Sequence, residues 1–314
     1  MFIASPEEEP YGTEFLKVAD KHFALPHRAF SFGALFELIQ FLKVNSIAVV
    51  HSHGRGAGVY SRLLKFFGFK VFHTFHGIHQ DPSFMGKVKF WLDRVLNPLT
   101  DGFVFVSQSE KDEAERVGFS FSKPNVVIAP LAPPCWIEFP KTYSHPIKVG
   151  SISRFDHQKG IDLLFANLSQ FAKQNPSLEW TFELAGGGPL QFIVPENIRD
   201  RVKMIGVIRE PIEFLRTLDI YVANSRWESF NISVIEALSQ GLPLLISNVA
   251  GHEYFIKNRV AIGFEAQDAA QFSNKLKLLM SGAKPRDQFE WVRKYHSKMN
   301  VSGLYLRLSG RGMV

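Results

Sequence analysis

A single cysteine, Cys135, stands in the 314 residues, so neither an internal disulfide nor a cysteine-built zinc site is available. No stretch approaches the ~18 uninterrupted apolar residues of a membrane-spanning helix. The opening MFIASPEEEP lacks the basic start of a secretory signal and turns acidic at once. A reducing, cytoplasmic compartment is the expectation. The chain also lacks a G-x-S-x-G elbow, a Walker phosphate loop, a kinase signature and a metal-bridging Asp-x-Asp pair. It has no helix-turn-helix, zinc or RNA-recognition pattern, which argues against nucleic acid as a partner. Gly54, Gly56 and Gly58 imitate a dinucleotide fingerprint, but Val59 stands where its third glycine belongs and no acid follows about 20 residues on. Nicotinamide and flavin binding are set aside.

What is present suits a two-domain globular protein: 46% hydrophobic and 21% charged residues over a length too great for one ordinary core. The formal charge of +6 is unevenly spread. Residues 284–314 hold seven Lys and Arg against Asp287 and Glu290. A second basic patch, RLLKFFGFKVFHTFHGIHQDPSFMGKVKFWLDR, mixes six basic residues with many aromatics. It reads either as a solvated face over a phenylalanine-rich core or as a contact with an anionic membrane surface or lipid-linked phosphate.

Short apolar runs alternate with helical periodicity, the pattern of parallel α/β layers. SIAVVHS, KVFHTFH, GFVFVSQ and NVVIAP read as strands of a first series. Between them GVYSRLLKFFG reads as a helix stopping at Gly68, and SEKDEAERVG as one capped by Ser109 and closed by Gly118. PLAPPCWIEFPKTYSHP then packs five prolines into 17 residues and marks the domain boundary. A second series runs from IKVGSISR through GIDLLFANLSQFAKQ, WTFELAG, VKMIG, PIEFLRT, DIYVANS, SVIEALSQG, LPLLISN and RVAIGFE to AAQFSNKLKLLMSG. An amphipathic stretch, DQFEWVRKYHSKM, closes it. The division is therefore 1–143, 144–285 and a basic tail 286–314.

Polar motifs fall at strand ends, where ligands of such sheets bind. Arg154 and Lys159 sit five apart at a strand-to-helix turn, spaced to clamp a diphosphate. Gly186, Gly187 and Gly188 follow a strand and suit either close backbone approach or a bare turn. His73, His76 and His79 gather at another strand end; their spacing is not that of a helical metal-ligand pair, and His76, beside Gly77, is the one expected in a cleft. ESFNISVIEA puts Glu228 at a loop-to-helix junction and Glu236 in the helix that follows. Charge complementarity with the helix end explains that placement, and so does a polar ligand held at the junction.

Taken together, SRFDHQKG, LAGGGPL, VKMIGVI and NSRWESFNISVIEALSQGLPLL resemble the second domain of a retaining, family 4-type (group 1) glycosyltransferase of the GT-B fold. The likeness spans most of residues 45 to 300. It implies an α/β architecture of two Rossmann-like α/β/α domains facing a cleft, the nucleotide sugar in the second and the acceptor mainly in the first. By resemblance, Arg154 and Lys159 bind the donor diphosphate, with Gly187 and Gly188 admitting the ligand. Glu228 takes hydroxyls of the transferred sugar, and Glu236 the ribose. Ser229 and the amides of Phe230, Asn231 and Ile232 reach sugar and phosphates, and the loop after VKMIG frames the base. His76 matches the histidine near the reaction centre. No cofactor or metal is implied beyond a UDP- or GDP-sugar as substrate. The acceptor is a lipid-linked or plain saccharide of surface polysaccharide or glycolipid synthesis, met in the cytoplasm or at the inner membrane face.

Three departures qualify the resemblance. Ser229-Phe230-Asn231 replaces Gly-Phe-Gly, with side chains expected to narrow the backbone approach. APLAPP stands in place of Asn-Gly-Val-Asp. The first domain is expected to lack its first strand and glycine-rich loop, so that donor binding outlasts transfer. The rivals are a GT-B sugar-nucleotide epimerase and a non-catalytic nucleotide-sugar-binding or partner protein.

Overall fold

The computed structural model describes residues 1–8, 12–27, 29–77, 84–130, 143–282, 288 and 291–292. His79, Cys135, most of the amphipathic stretch after residue 286 and the basic tail lie outside the described residues. The chain divides into compact units, residues 1–129 and 130–300.

The first unit runs β1 (Phe2–Ser5), α1 (Gly12–Val18), β2 (Lys21–Ala24), α2 (Phe32–Val44), β3 (Val49–His53), α3 (Gly54–Leu64), β4 (Lys70–Thr74), α4 (Phe84–Leu96), β5 (Gly102–Phe105), α5 (Gln108–Arg116) and β6 (Asn125–Val127). β1 and β2 pair in parallel by themselves, and β3-β4-β5-β6 form a separate parallel sheet. The expected stops hold: α3 tightens into a 3₁₀ turn and ends at Gly68, whose φ of 90° suits a residue without Cβ, and Gly118 follows α5 at φ 88°. The cap of α5 differs from expectation. Ser107, not Ser109, is the N-cap, and its hydroxyl accepts from the amide of Glu110 at 3.1 Å. Of the opening elements, β1 and β2 are short with mixed exposure, and α2 buries Leu35, Leu38, Ile39 and Leu42 at helical spacing while Phe32 and Phe36 stay exposed.

The second unit runs β7 (Ile147–Arg154), α6 (Ile161–Gln174), β8 (Trp180–Gly187), β9 (Val202–Gly206), α7 (Pro211–Thr217), β10 (Ile220–Ala223), α8 (Ile232–Ser239), β11 (Leu244–Ser247), α9 (Ala250–Lys257), β12 (Ile262–Phe264) and α10 (Ala269–Met280). All six strands join one parallel sheet in the order β12-β11-β10-β7-β8-β9. Strands buried on both faces must be apolar throughout, and IYVA in β10 and LLIS in β11 are buried at every position. From β7 the chain winds outward through β8 and β9, then returns to the other side of β7 with β10. That reversal makes β7 and β10 the switch point of the sheet, the place where ligands of such sheets bind.

Candidate functional site

Both loops at that switch point carry the residues singled out in the sequence. They are packed tightly enough to require glycine: a Cβ on Gly160, which sits at φ +58°, would lie 2.3 Å from the Asn224 carbonyl oxygen. Arg226 ties them further, its amide donating to the Gln158 carbonyl at 2.7 Å and its guanidinium pairing with Asp162. Asn167 supports the second loop from α6, donating to Asn224 Oδ1 at 2.9 Å.

The central contact is an ion pair between Lys159 Nζ and Glu228 Oε1 at 2.5 Å. Both side chains are largely withdrawn from water, with 16% and 4% exposure. Desolvation of two charges is costly, and here it is offset by further donors. Glu228 Oε1 also accepts from Ser225 Oγ at 2.7 Å and Asn231 Nδ2 at 3.3 Å. Arg154 is placed differently. Its guanidinium is 67% exposed and bridges Asp156 and Gln158, each at 3.0 Å. The two cations expected to act together thus differ in setting: Lys159 holds Glu228 directly, while exposed Arg154 reaches it only through Gln158.

At the start of α8, Asn231 has the extended backbone of an N-cap but makes no side-chain cap. The first-turn amides are therefore not claimed by their own cap residue, and the helix dipole adds positive character there. Two of the three side chains expected to narrow this approach have partners within the fold. Phe230 packs against Phe255 with ring centroids 5.4 Å apart, and Asn231 points inward to Glu228 and His252. Ile232 stands exposed beside the turn. Glu236, half-buried on the same helix, has its carboxyl pushed above the usual range by burial. The glycine triplet has a packing reason: a Cβ on Gly186 would sit 1.8 Å from the Ser153 carbonyl oxygen, and one on Gly188 2.6 Å from that of Phe155. A Cβ added at Gly187 would meet the Val207 side chain at 2.9 Å.

In the first unit, His76 lies just past β4 and its Nε2 is 3.1 Å from Nδ1 of His53, a partner the sequence did not indicate. His73 is buried in the strand and bonded to Ser52 Oγ at 2.9 Å, a structural placement. Burial and the neighbouring imidazoles hold His51 down to about 4, and the His53 and His76 rings are also lowered, chiefly by burial. A cavity of about 130 Å³ adjoins them, lined by Arg55, Asp93, His73, His76 and phenylalanine rings. Glu110 also escaped the sequence reading. Its buried carboxylate accepts from the amides of Val106 at 2.8 Å and Gly77 at 2.5 Å, tying down the turn that bears His76. The signal was there in Ser107-x-x-Glu110, a capping-box pattern masked by assigning the cap to Ser109. Burial outweighs the two amides and pushes Glu110 up to about 7. Among the described residues no group of three His, Cys, Asp or Glu side chains is placed to hold a metal ion.

Two parallel-sheet units with a polar site at a strand switch point define the GT-B class of glycosyltransferases. The structure of Anabaena Alr3699/HepE in complex with UDP and glucose has this fold, matching 98% of this chain and 90% of its own with a TM-score of 0.76 at 14% identity. The chain belongs to the group 1, family 4-type glycosyltransferases: residues 136–291 match Glycosyl transferases group 1, and residues 3–129 match Glycosyltransferase Family 4. Among its relatives, the UDP-Gal:alpha-D-GlcNAc-diphosphoundecaprenol alpha-1,3-galactosyltransferase of Escherichia coli is 25% identical over 77% of this chain and 69% of its own. The O-antigen biosynthesis glycosyltransferase WbnH of the same organism is 26% identical over 73% and 67%. The chain spans about two thirds of the length of such curated relatives.

Proposed function

We propose that the protein is a retaining glycosyltransferase moving a hexosyl group from a nucleotide sugar to a lipid-linked or saccharide acceptor, without a catalytic metal. The observation carrying this reading is the Lys159–Glu228 pair at the β7/β10 switch point, beside the uncapped start of α8. Lys159, Arg154 and the α8 amides bind the diphosphate, Glu228 takes sugar hydroxyls, and Glu236 takes the ribose. As the bond from the anomeric carbon to the diphosphate breaks, charge grows on the leaving oxygen, and fixed cations and amides stabilise it. The acceptor hydroxyl bonds the same carbon from the same face and passes its proton to the departing phosphate oxygen. That front-face course retains configuration. His76 serves the acceptor side. A relative named for UDP-Gal and a neighbour solved with UDP and glucose support a UDP-sugar as the first donor to test. The O-antigen relative supports surface polysaccharide or glycolipid synthesis as the setting.

Contact with the inner membrane face belongs to the same reading. No helix among the described residues is long and apolar enough to cross a membrane. However, α4 exposes Phe84, Val88, Trp91 and Val95 at helical spacing, with Lys87, Lys89 and Arg94 beside them. An apolar stripe flanked by cations fits an anionic lipid surface.

Thermal shift across UDP-, GDP- and ADP-sugars tests the donor, because stabilisation grows with ligand over dissociation constant. Nucleotide release with and without acceptor then separates transfer from mere binding. Arg154→Ala and Lys159→Ala are expected to abolish turnover while leaving a folded protein. Full turnover in both variants would sink the assignment.

A further inference from the structure

The donor site as described leaves one buried imidazole beside it unused. His252, in the first turn of α9, is fully buried. Its Nδ1 lies 2.8 Å from the Ser247 carbonyl oxygen, which can only accept, so Nδ1 carries the hydrogen. The Ser247 hydroxyl does not compete, because it donates to the Ser225 carbonyl at 2.7 Å. Nε2 is then an acceptor, and Asn231 Nδ2 is its donor at 3.1 Å. The second hydrogen of the same Nδ2 goes to Glu228 Oε1 at 3.3 Å. A flipped carboxamide would turn its oxygen against both a carboxylate and an imidazole lone pair. The tautomer of His252 therefore fixes the orientation of Asn231.

The two oxygens of Glu228 are left unequal by this arrangement. Oε1 accepts from Lys159, Ser225 and Asn231. Oε2 meets only Gln158 Nε2, at 3.4 Å, among the described residues. One oxygen is held by three protein donors, while the other has a single long contact and keeps lone pairs for a further donor. Gly251 keeps the two loops in register: its amide donates to the Glu228 carbonyl at 3.0 Å, and a Cβ there would come within 2.5 Å of that oxygen.

We propose that Asn231 and His252 are positioning residues that decide how the sugar of the donor is read: His252 orients the Asn231 carboxamide, the carboxamide pins Glu228 Oε1, and Oε2 is presented to a sugar hydroxyl. The inference rests on Glu228 being the sugar-facing carboxylate of the proposed donor site. The Asn231 and His252 side chains bond Glu228 and each other, and backbone amides that bind the diphosphate survive substitution by alanine, so the pair controls the part of the affinity due to the sugar and leaves the part due to the nucleotide diphosphate alone.

Calorimetric titration of the full chain with UDP, UDP-glucose and UDP-galactose, and with GDP and GDP-mannose, measures both parts. In Asn231→Ala and His252→Ala the ratio of nucleotide-sugar to nucleotide-diphosphate affinity is expected to fall about tenfold, the size of one hydrogen bond to a charged group. Affinity for the diphosphate alone stays within about twofold of wild type. His252→Gln retains most of the ratio, since its amide oxygen can accept from Asn231 where Nε2 did. The double alanine variant loses no more than either single one, as members of one chain of contacts should. An unchanged ratio in Asn231→Ala, or equal loss for sugar nucleotide and bare diphosphate, overturns the proposal. Should His252→Ala fail to fold, Asn231→Ala decides alone. A wild-type chain that binds no sugar nucleotide refutes the donor site itself and this inference with it, a result seen before any variant is made.

Discussion

In the second unit six strands share one sheet, whereas in the first the strands divide into sheets of two and four. The interiors differ accordingly. Val149, Phe182, Leu184, Val222 and Leu245 lie fully buried in one of two large clusters of the second unit, while the first holds three smaller ones. Of the 25 large apolar side chains exposed among the described residues, 17 belong to the first unit, Phe32, Phe66, Phe84 and Trp91 among them. The polar sites follow the same division. Around Glu228 nearly every polar group has a protein partner, which suits a fixed binding site. The first unit presents a small cavity, paired histidines and exposed aromatic surface.

The largest expected effect tests the contrast in packing. Phe182→Ala in the second-unit core should cost about 3–5 kcal/mol in denaturant unfolding. Phe66→Ala on the exposed first-unit surface should change stability by under about 0.5 kcal/mol. Comparable losses would erase the distinction.

Next comes the buried acid of the first unit. Glu110 titrates at about 7 in the fold against 4.5 as its ordinary value. A raised carboxyl binds more protons folded than unfolded, so its stabilisation is complete below about 4.5 and is lost as pH rises through 7. Wild-type stability should carry a falling component across that window of roughly 3 kcal/mol, and Glu110→Gln should remove it. Parallel pH profiles for both proteins would contradict the burial argument.

The exposed face of α4 comes third. Trp91→Ser should weaken co-sedimentation with phosphatidylglycerol vesicles about tenfold. Trp227→Ser, an exposed aromatic of the second unit, should leave it unchanged. Equal losses would mean that exposed aromatics bind vesicles without regard to the basic stripe. The smallest effect concerns one cap: Ser107→Ala should cost about 1 kcal/mol and Ser109→Ala close to none. The reverse order would return the cap to Ser109.

The second unit was readable because burial on both sides of a parallel sheet demands continuous apolar strands, and DIYVANS and LPLLISN have no other plausible use. Its helices were legible from periodicity and from glycine stops such as Gly241. The short α9 was missed, since AGHEYFIK has a glycine at its second position and carries only two turns. His252 went with it. The first unit resisted reading where β1 and β2 are short and mixed in exposure, and where exposed Phe32, Phe36 and Val44 mask the regular buried face of α2. Glu110 was hidden by a two-residue error in the cap, because Ser107 and Ser109 are chemically equal candidates until the backbone chooses.

By itself the sequence determined the α/β class, the strand ends that carry polar residues, and the segments bearing Arg154, Lys159 and Glu228. These follow from periodicity and local turn chemistry, which act over a few residues. Only the tertiary structure decided which of those groups meet. Lys159 and Glu228 lie 69 positions apart, yet share a bond because β7 and β10 are neighbours in the sheet. Asn231 turned inward because a buried imidazole, 21 positions on, offered its carboxamide an acceptor that water could not reach. Such pairings depend on strand order and on the tautomer of a buried ring, and neither is written in the spacing of residues along the chain.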